Sequence, residues 1–420
     1  MKPSLAWSLY DWADSAFVTT VVAAVLPAYF ASVVCGGADS VSLNLFGMHL
    51  TGSPTSLWGY AVALASLVVA VISPAAGALA DAGGRRKACL AAFAAVGIAS
   101  SAMLSLSGPG MVLYVLTLLV TGEIGFAGAQ VFYNSLLADA SAGLDRDRLS
   151  SRGFALGYLG GGLLLALNTA MIARPSAFGL ADAAHACRVS FAMVAVWWAV
   201  FSIPLFLFVR ETKTVVRGRS LARAAGMLWE TARDIVSRRN LLLFLVAFLL
   251  YNDGIQTVIL MATVYGKSEL GLDTASMTTA LLVTQLVGVP GSILFGRAAS
   301  RFGARKALLA GVAAYLGIVL LALGMTDEAG FLALATLVGL FQGGMQAVSR
   351  SFFSRLIPEG RSAEYFGFFS ISTRFASIFG PLLFALVRDV TGSGRAAILS
   401  VAVLFVCGGA VLTAVRDPAE

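Results

Sequence analysis

The sequence contains little charge and few metal-binding side chains. Only 12% of its 420 residues are Asp, Glu, Lys or Arg, and it has two histidines and four cysteines. A zinc or other transition-metal centre needs a cluster of such ligands, and none is evident. The phosphate-binding pattern G-x-x-x-x-G-K-[ST] is also missing from the sequence, which argues against a P-loop ATPase. We therefore expect neither a metal ion nor another cofactor.

Apolar residues dominate instead. They make up 58% of the chain, and the mean hydropathy of +0.86 lies far outside the range of soluble domains. A helix needs about 20 apolar residues to cross the hydrocarbon of a bilayer, so an all-α membrane protein with twelve transmembrane helices is expected. The predicted spans cover roughly residues 5–34, 57–80, 88–106, 111–138, 153–173, 189–209, 241–265, 274–299, 307–325, 331–353, 365–387 and 396–415.

The basic residues predict the orientation of these spans. Most of the 29 lysines and arginines fall in alternate connections, on the side that also holds the N-terminus. Cytoplasmic loops carry such an excess, so both termini are expected in the cytoplasm and the chain in an inner or plasma membrane. The net charge of +7 is scattered between spans, which argues against nucleic-acid binding. Cys35 and Cys187 fall on the opposite side, where pairing depends on an oxidising compartment.

The longest predicted cytoplasmic connection divides the spans six and six. We expect an N-terminal bundle over residues 1–209, a linker over 210–240 and a C-terminal bundle over 241–420. The linker pattern predicts an amphipathic helix. Such a helix can lie on the inner leaflet with Trp229 near the headgroups, or it can be a solvated connection that touches no lipid. The apolar positions that recur at helical spacing are Leu221, Ala225, Leu228, Ala232 and Ile235.

Two loops of related sequence indicate an internal duplication. GALADAGGRRK at residues 77–87 aligns with GRAASRFGARK at residues 296–306, and both connect the second and third spans of their half. Gly77 matches Gly296, and the closing Arg-Lys dipeptides match as well, whereas Asp81 is replaced by Ser300 in the second copy. A duplicated six-helix unit is the natural interpretation.

The twelve spans, the central connection and the G-x-x-x-D-x-x-G-R-R-K loop resemble the major facilitator superfamily over essentially the whole chain. LYDWADSAF at residues 9–17, GFALGYLGGGLLLALN at 153–168 and SRSFFSRLIPEGR at 349–361 are similar to the branch related to autophagy-linked vacuolar effluxers. The resemblance implies two pseudo-symmetric six-helix bundles that act by alternating access, as a monomer and without enzymatic activity. Vacuolar members are associated with amino-acid efflux, so export of a small polar or zwitterionic solute is expected.

Four acids fall within the predicted spans: Asp11, Asp14, Glu123 and Asp253. Ionisable side chains at membrane depth usually face a cavity, a partner charge or a proton path. Two carboxyls three residues apart, such as Asp11 and Asp14, disfavour each other's ionisation. Proton coupling is therefore expected, with a fixed ion pair to an arginine as the alternative role. The branch commonly has Asn at the position of Asp14, which favours Asp11 of the two.

Amides and arginines complete the candidate site for solute binding or proton coupling. Arg374 lies deep in its span, where its planar fork can clamp a solute carboxylate. It can equally be the counter-ion of Glu123 or Asp253. The other candidates lie at helical spacing on the faces of the fourth and tenth spans: Gln130, Asn134, Gln346 and Arg350.

The first loop copy is expected to be a conformational latch, as the resemblance implies. A carboxylate at Asp81 beside a helix N-terminus would be held by free amides and the helix dipole, while the cations can pair with acids such as Asp139. Its simpler role is to keep the loop on the cytoplasmic side. The alternatives for the whole protein are an uncoupled facilitator of another organic solute and a transporter-like receptor. The latch residues are Gly77, Asp81, Gly84, Arg85, Arg86 and Lys87.

Overall fold

Twelve long apolar helices make up most of the chain, whose computed structural model describes residues 1–45, 48–212, 224–268, 270–375 and 379–418. Each is long and apolar enough to cross a bilayer, which confirms the expected fold class of an integral membrane protein. In chain order, spans 1 to 12 are Pro3–Val34, Pro54–Gly83, Arg86–Leu104, Val112–Ser135, Arg146–Ala173, Ala183–Phe208, Arg239–Ser268, Thr274–Phe302, Ala304–Leu323, Glu328–Leu356, Ser362–Thr391 and Gly394–Thr413.

Short elements connect some of the spans. An antiparallel hairpin of β1, Val41–Leu45, and β2, Met48–Gly52, follows span 1 and pairs Val41 with Gly52. Sequence analysis did not predict it, because short strands leave little periodic signal beside long apolar helices. The other short elements are a helix after span 4, a 3-10 turn after span 5 and a linker helix before span 7: Leu137–Ser141, Pro175–Phe178 and Ala224–Ser237.

Span 1 departs from the regular helix that hydropathy predicts. Span 1 begins as an α-helix and widens twice into π-helix, a geometry found often at functional sites. Pro27 lies between the two π segments and has no N–H to donate within the helix. Span 11 is described as Ser362–Phe375 and Phe379–Thr391. The segments of span 1 are Pro3–Ala16, Phe17–Val25, Leu26–Tyr29 and Phe30–Val34.

Spans 1–6 meet spans 7–12 mainly along two helix pairs. Span 2 packs against span 11, and span 5 packs against span 8. Glycine allows both close approaches, since a Cβ on Gly77 would overlap the carbonyl oxygen of Ala363, and one on Gly296 would overlap the Ser151 side chain. Gly77 and Gly296 are matched positions of the repeated loop. The sequence repeat therefore corresponds to two similar helix contacts.

The linker helix Ala224–Ser237 packs one face against the protein. Thr231 is fully buried and donates a hydrogen bond to Glu364, and the Tyr365 hydroxyl donates one to Asp234. Partial burial raises the pKa of Asp234, but the hydrogen bonds that it accepts lower it by more, so the net pKa lies below the usual value. Asp234 is therefore ionised at neutral pH. The linker helix is thus docked on the beginning of span 11.

Other expectations for the connections have different outcomes. Trp229 and Val236, seven residues apart on one helical face, are 68% and 63% exposed, and lipid contact by this face stays a prediction. Leu221 lies outside the described residues. The division into residues 1–209, 210–240 and 241–420 also stays a prediction. Cys35 and Cys187 carry free thiols.

Candidate functional site

A buried arginine joins the two halves on the face where span 1 begins and span 12 ends, called here the terminal face. Arg350, near the end of span 10, is 3% exposed and forms a 3.2 Å ion pair with Asp11. It also donates to the Asn134 side chain at 3.1 Å and to the hydroxyl and carbonyl oxygens of Ser150 at 2.8 and 2.9 Å. These bonds use all but one of the guanidinium N–H groups. Arg350 therefore ties span 10 to spans 1, 4 and 5.

Aromatic rings surround this guanidinium. Its carbon lies 4.7 Å from the ring centroid of Trp7 and 4.5 Å from that of Phe154, within the range of cation–π attraction. Trp7 stacks on Tyr133 with centroids 4.4 Å apart and donates its indole N–H to the Tyr133 carbonyl oxygen. The Tyr133 hydroxyl donates a 2.7 Å hydrogen bond to Asp11. The ion pair is thus enclosed by rings, and one Asp11 oxygen accepts hydrogen bonds from both Tyr133 and Arg350.

A second group of bonds between the halves lies closer to the terminal face. Asp147, at the start of span 5, accepts a hydrogen bond from Ser351 and forms a 3.0 Å ion pair with Arg355. Arg146 donates a 2.9 Å hydrogen bond to the carbonyl oxygen of Ser354. Because span 5 begins where span 10 ends, these bonds close the terminal face between the two halves.

The end of span 2 forms another contact that closes the terminal face. Asp81 accepts a 2.9 Å hydrogen bond from the backbone N–H of Glu364, in the first turn of span 11. The helix N-terminus expected beside Asp81 is thus that of a span in the other half, 283 positions along the chain. Glu364 is itself buried and bonded to Arg361 and to Thr231 of the linker helix. The loop, span 11 and the linker helix therefore form one connected network.

The basic residues of the same loop bind within the N-terminal half. Arg86 is buried and forms a 2.9 Å ion pair with Asp139, the acid that the sequence suggested. Lys87 donates to two carbonyl oxygens at the end of span 6, at 2.8 and 2.7 Å. Gly84 ends span 2 with a φ of 58°, which favours glycine. Arg85 is exposed.

An acid and an arginine from opposite halves meet near mid-depth. Glu123 and Arg374 form a 3.0 Å ion pair. Each lies about 18 Å along its helix from the terminal end, at 1.5 Å per residue. The Glu123 side chain is 6% exposed and that of Arg374 is 21% exposed. In this conformation Arg374 is the counter-ion of Glu123, which is one of the roles that the sequence left open for it. Part of its guanidinium is still accessible.

Two further acids lie at similar depth and form no ion pair within the described part of the chain. Asp14 accepts a 2.7 Å hydrogen bond from Gln130, and Asp253 accepts a 2.8 Å bond from the backbone N–H of Gly380. Both residues are about 1% exposed, and the second oxygen of each carboxyl has no hydrogen-bond partner in the described chain. An unpartnered buried oxygen is costly, so each carboxyl is poised to take a proton or a polar group.

The candidate residues therefore form two groups rather than a single cavity wall. Asp11, Asn134 and Arg350 lie in the closed terminal face, with Gln346 half-buried one turn before Arg350. The deeper group consists of Asp14, Glu123, Gln130, Asp253 and Arg374. Sequence analysis did not identify several partners, namely Asp147, Ser150, Phe154, Arg355 and Glu364. The charged ones, near the starts of spans 5 and 11 and the end of span 10, were a usable signal.

The halves separate toward the opposite face. The segments Phe17–Val25 and Phe30–Val34 of span 1 pack mainly against spans of the first half, and Phe379–Thr391 of span 11 packs mainly against spans 7 and 12. The bonds between the halves described above are concentrated at the terminal face and at mid-depth. The conformation is thus closed at the terminal face.

Closure of the terminal face predicts a strong effect of Gly77→Ala. The added Cβ would overlap the Ala363 carbonyl oxygen, which belongs to helix backbone and cannot turn away, so spans 2 and 11 should separate. A cysteine at buried Ser151, in a background without the native cysteines, reports this opening by its alkylation rate. We expect alkylation to be at least about fivefold faster, equivalent to roughly 1 kcal/mol.

The matched control is Gly59→Ala in the same span, where a Cβ meets nothing within 4 Å. It should leave the alkylation rate unchanged. Equal rates in the two variants would show that the close contact of spans 2 and 11 does not hold the terminal face shut.

Comparison with known proteins agrees with this architecture. A family model described as "Vacuole effluxer Atg22 like" matches residues 2–417. The MFS-type transporter YxiO of Bacillus subtilis strain 168 is 35% identical over 418 residues, which cover 99% of this chain and 95% of the relative. Autophagy-related protein 22 of Eremothecium gossypii is 27% identical over 442 residues, covering 93% and 86% respectively.

Solved structures share the fold at low identity. The human organic anion transporter MFSD10 superposes with a TM-score of 0.72 at 15% identity, over 97% of this chain and 98% of that one. The transporter FucP in its outward conformation gives a TM-score of 0.68 at 14% identity, over 99% and 98%. These similarities show the major facilitator fold, and the relatives are transporters rather than enzymes.

Proposed function

Because this chain belongs to the Atg22-like family of the major facilitator superfamily, we propose that it moves a small polar or zwitterionic organic solute, such as an amino acid, by proton-coupled alternating access. The observation that carries the proposal is the Glu123–Arg374 ion pair, which crosses from one half to the other near mid-depth. In alternating access the solute site lies between two halves that rock around it. A charged pair at that level is suited to be the site.

The pair offers both charges that a zwitterion needs. The planar guanidinium of Arg374 suits a carboxylate, which can accept two parallel hydrogen bonds, while Glu123 can accept hydrogen bonds from an ammonium group. The exposed fraction of Arg374 provides the first contact. A zwitterion that inserts between them replaces one ion pair by two, so neither buried charge is left alone.

Asp253 is the proposed proton carrier, with Asp14 as the second candidate. Protonation of Asp11 or Glu123 would break an ion pair, whereas protonation of Asp253 or Asp14 breaks none within the described chain. Asp253 lies in span 7 and is bonded to Gly380 of span 11, the span that also carries Arg374. A proton on Asp253 can therefore alter the position of the helix that holds the solute.

Arg350 and Asp81 are proposed to close one side of the pathway. The excess of basic residues supports a terminal face in the cytoplasm, in an inner or plasma membrane. The conformation closed there can exchange solute with the opposite side. Export is the proposed direction, because the matching family model is described as an effluxer. A monomer suffices, since one chain supplies both halves of the site.

A thermal-shift screen of the purified protein against amino acids, peptides, sugars and nucleosides tests the solute class. A ligand of the folded state must raise its stability, by about 2.7 kcal/mol at a hundred times the dissociation constant. We expect the hits to be zwitterions. Hits confined to sugars or nucleosides would contradict a site built on Glu123 and Arg374.

Proteoliposomes loaded with a pH dye test the coupling. Flux of the best hit should acidify or alkalinise the lumen in the wild type, and Asp253→Asn should retain solute exchange but lose at least about 90% of the proton flux, since an amide does not carry the proton. Asp389→Asn, an exposed acid on span 11, is the control and should behave as wild type. Solute flux that does not change with a pH gradient would instead indicate an uncoupled facilitator. Solute binding without any flux would indicate a transporter-like receptor.

A further inference from the structure

A partly open apolar cavity lies inside the C-terminal half, one helical turn beyond Asp253. Its volume is about 210 Å³, and Thr257, which donates its hydroxyl to the Asp253 carbonyl oxygen, is at its inner end. Spans 7, 8, 9, 10 and 12 supply most of the lining, and none of the described lining side chains is charged. Representative lining residues are Met261, Met277, Ile318, Phe331 and Val401.

Three polar side chains border this cavity without a hydrogen-bond partner in the described chain. They are Tyr158, Gln285 and Gln342, all placed near mid-depth, and Gln285 is only 7% exposed. Tyr158 and Gln342 are half-buried and Gln285 is buried, and the polar atoms of all three are available to a molecule in the cavity. A ligand with a hydrogen-bonding group at its inner end would satisfy them.

Among the described residues that line the cavity, Tyr158 alone comes from the N-terminal half. Its ring enters the C-terminal half between two glycines: a Cβ on Gly288 would lie 2.8 Å from the ring, and one on Gly343 would overlap it. Gly288 is on span 8 and Gly343 on span 10. The inner wall of the cavity is therefore complete only while span 5 is packed against these two spans.

We propose that this cavity is a binding site for an uncharged, mostly apolar small molecule of about two aromatic rings with one hydrogen-bonding group, separate from the charged site at Glu123. A cavity of about 150 Å³ accepts one benzene ring, so the 210 Å³ here hold one ring with its polar group, and the open side of the cavity admits a second ring. The lining offers no counter-charge, which disfavours an ionised ligand. Binding in this cavity does not depend on the proposed transport activity.

Occupation of the cavity should stabilise the conformation that is closed at the terminal face. A ligand favours whichever state binds it better. Movement of span 5 away from spans 8 and 10 would withdraw Tyr158 and remove the inner wall. The ligand thereby acts as an inhibitor that holds one conformation.

Photolabelling with benzophenone in lipid nanodiscs tests the site. Benzophenone is uncharged, has two rings, and its ketone can accept a hydrogen bond from the Tyr158 hydroxyl. We expect saturable labelling of peptides that contain the lining methionines Met261, Met277 and Met325. Labelling that does not saturate, or that falls only on lipid-facing helix surfaces, would overturn the site and indicate that the probe stays in the bilayer.

Two matched variants of span 8 separate the cavity from the lipid surface. Leu281→Trp fills the cavity and should lower saturable labelling at least fivefold, whereas Leu286→Trp adds the same ring on the lipid-facing side, where Leu286 is 69% exposed, and should not change it. Tyr158→Phe keeps the ring but removes the hydroxyl, and should raise the half-saturating concentration about fivefold. Equal labelling of the two tryptophan variants would overturn the assignment.

The Ser151→Cys reporter tests the conformational part of the proposal. Benzophenone should slow alkylation of that cysteine at least threefold, and should have no effect in the Leu281→Trp background. Unchanged or faster alkylation in the presence of saturable labelling would show that the site exists but does not favour the closed terminal face.

Discussion

Arg350→Ala should abolish transport and destabilise the fold more than any other single substitution considered. The guanidinium is buried and holds Asp11, Asn134 and Ser150 together across the two halves. Its removal leaves the Asp11 carboxylate buried with the Tyr133 hydroxyl as its remaining hydrogen-bond donor. Breaking a buried ion pair in this way costs about 3–5 kcal/mol. Thermal unfolding of the purified protein, followed by a flux assay, measures both effects.

A double variant distinguishes a broken pair from a general packing defect. Arg350→Met with Asp11→Asn removes both charges and should recover most of the thermal stability, because no buried charge remains unpaired. Arg297→Ala, which removes an exposed arginine of span 8, should change the melting temperature little. If the double variant is as unstable as Arg350→Ala, the ion pair is not the reason for the loss.

Arg374→Ala should lower the affinity for the zwitterionic solute by at least tenfold, or about 1.4 kcal/mol. The substitution removes the donor proposed for the solute carboxylate and leaves Glu123 without its 3.0 Å partner. Arg374→Lys should retain part of the affinity, since an ammonium keeps the charge but not the two-pronged geometry. The ligand-induced shift of the melting temperature, titrated with solute, gives each affinity.

The pair with Glu123 requires its own control. If Arg374 only neutralises Glu123, the double variant Arg374→Ala with Glu123→Gln should bind the solute as tightly as the wild type. If Arg374 contacts the solute, the double variant should bind no better than Arg374→Ala alone. Full recovery of affinity would therefore reject the solute-binding role and leave the ion pair as a structural feature.

Sequence reasoning found the acids and arginines of the site but could not pair them. It suggested that cations of the first loop copy can pair with acids such as Asp139, and in the structure Arg86 does so at 2.9 Å. It left Asp11 and Arg374 with several alternative partners. Those partners lie in the other half of the chain, and helical spacing gives no distance between different helices.

Local irregularities escaped prediction for a related reason. The π-helical segments of span 1 keep the same apolar composition as a regular helix, so hydropathy does not reveal them. Ser150 lies in no motif, and nothing in the GFALGYLGGG stretch marks Phe154 as a partner of Arg350; both contacts depend on how span 5 packs against span 10. In the sequence, Phe154 is one apolar residue among many in its span. Its contact with the Arg350 guanidinium is visible only in the folded structure.

The sequence by itself determined the twelve spans and the internal repeat, because the cost of burying polar backbone and charge in lipid acts on each segment separately. It also determined that Asp11 and Asp14 are unusual. Only the tertiary structure decided that Asp11 is bound to Arg350, 339 positions away, while one oxygen of Asp14 has no hydrogen-bond partner among the described residues. Two carboxyls three residues apart on one helix differ because one faces the other half at the closed terminal face, and contacts of that kind exist only once both halves are folded and packed.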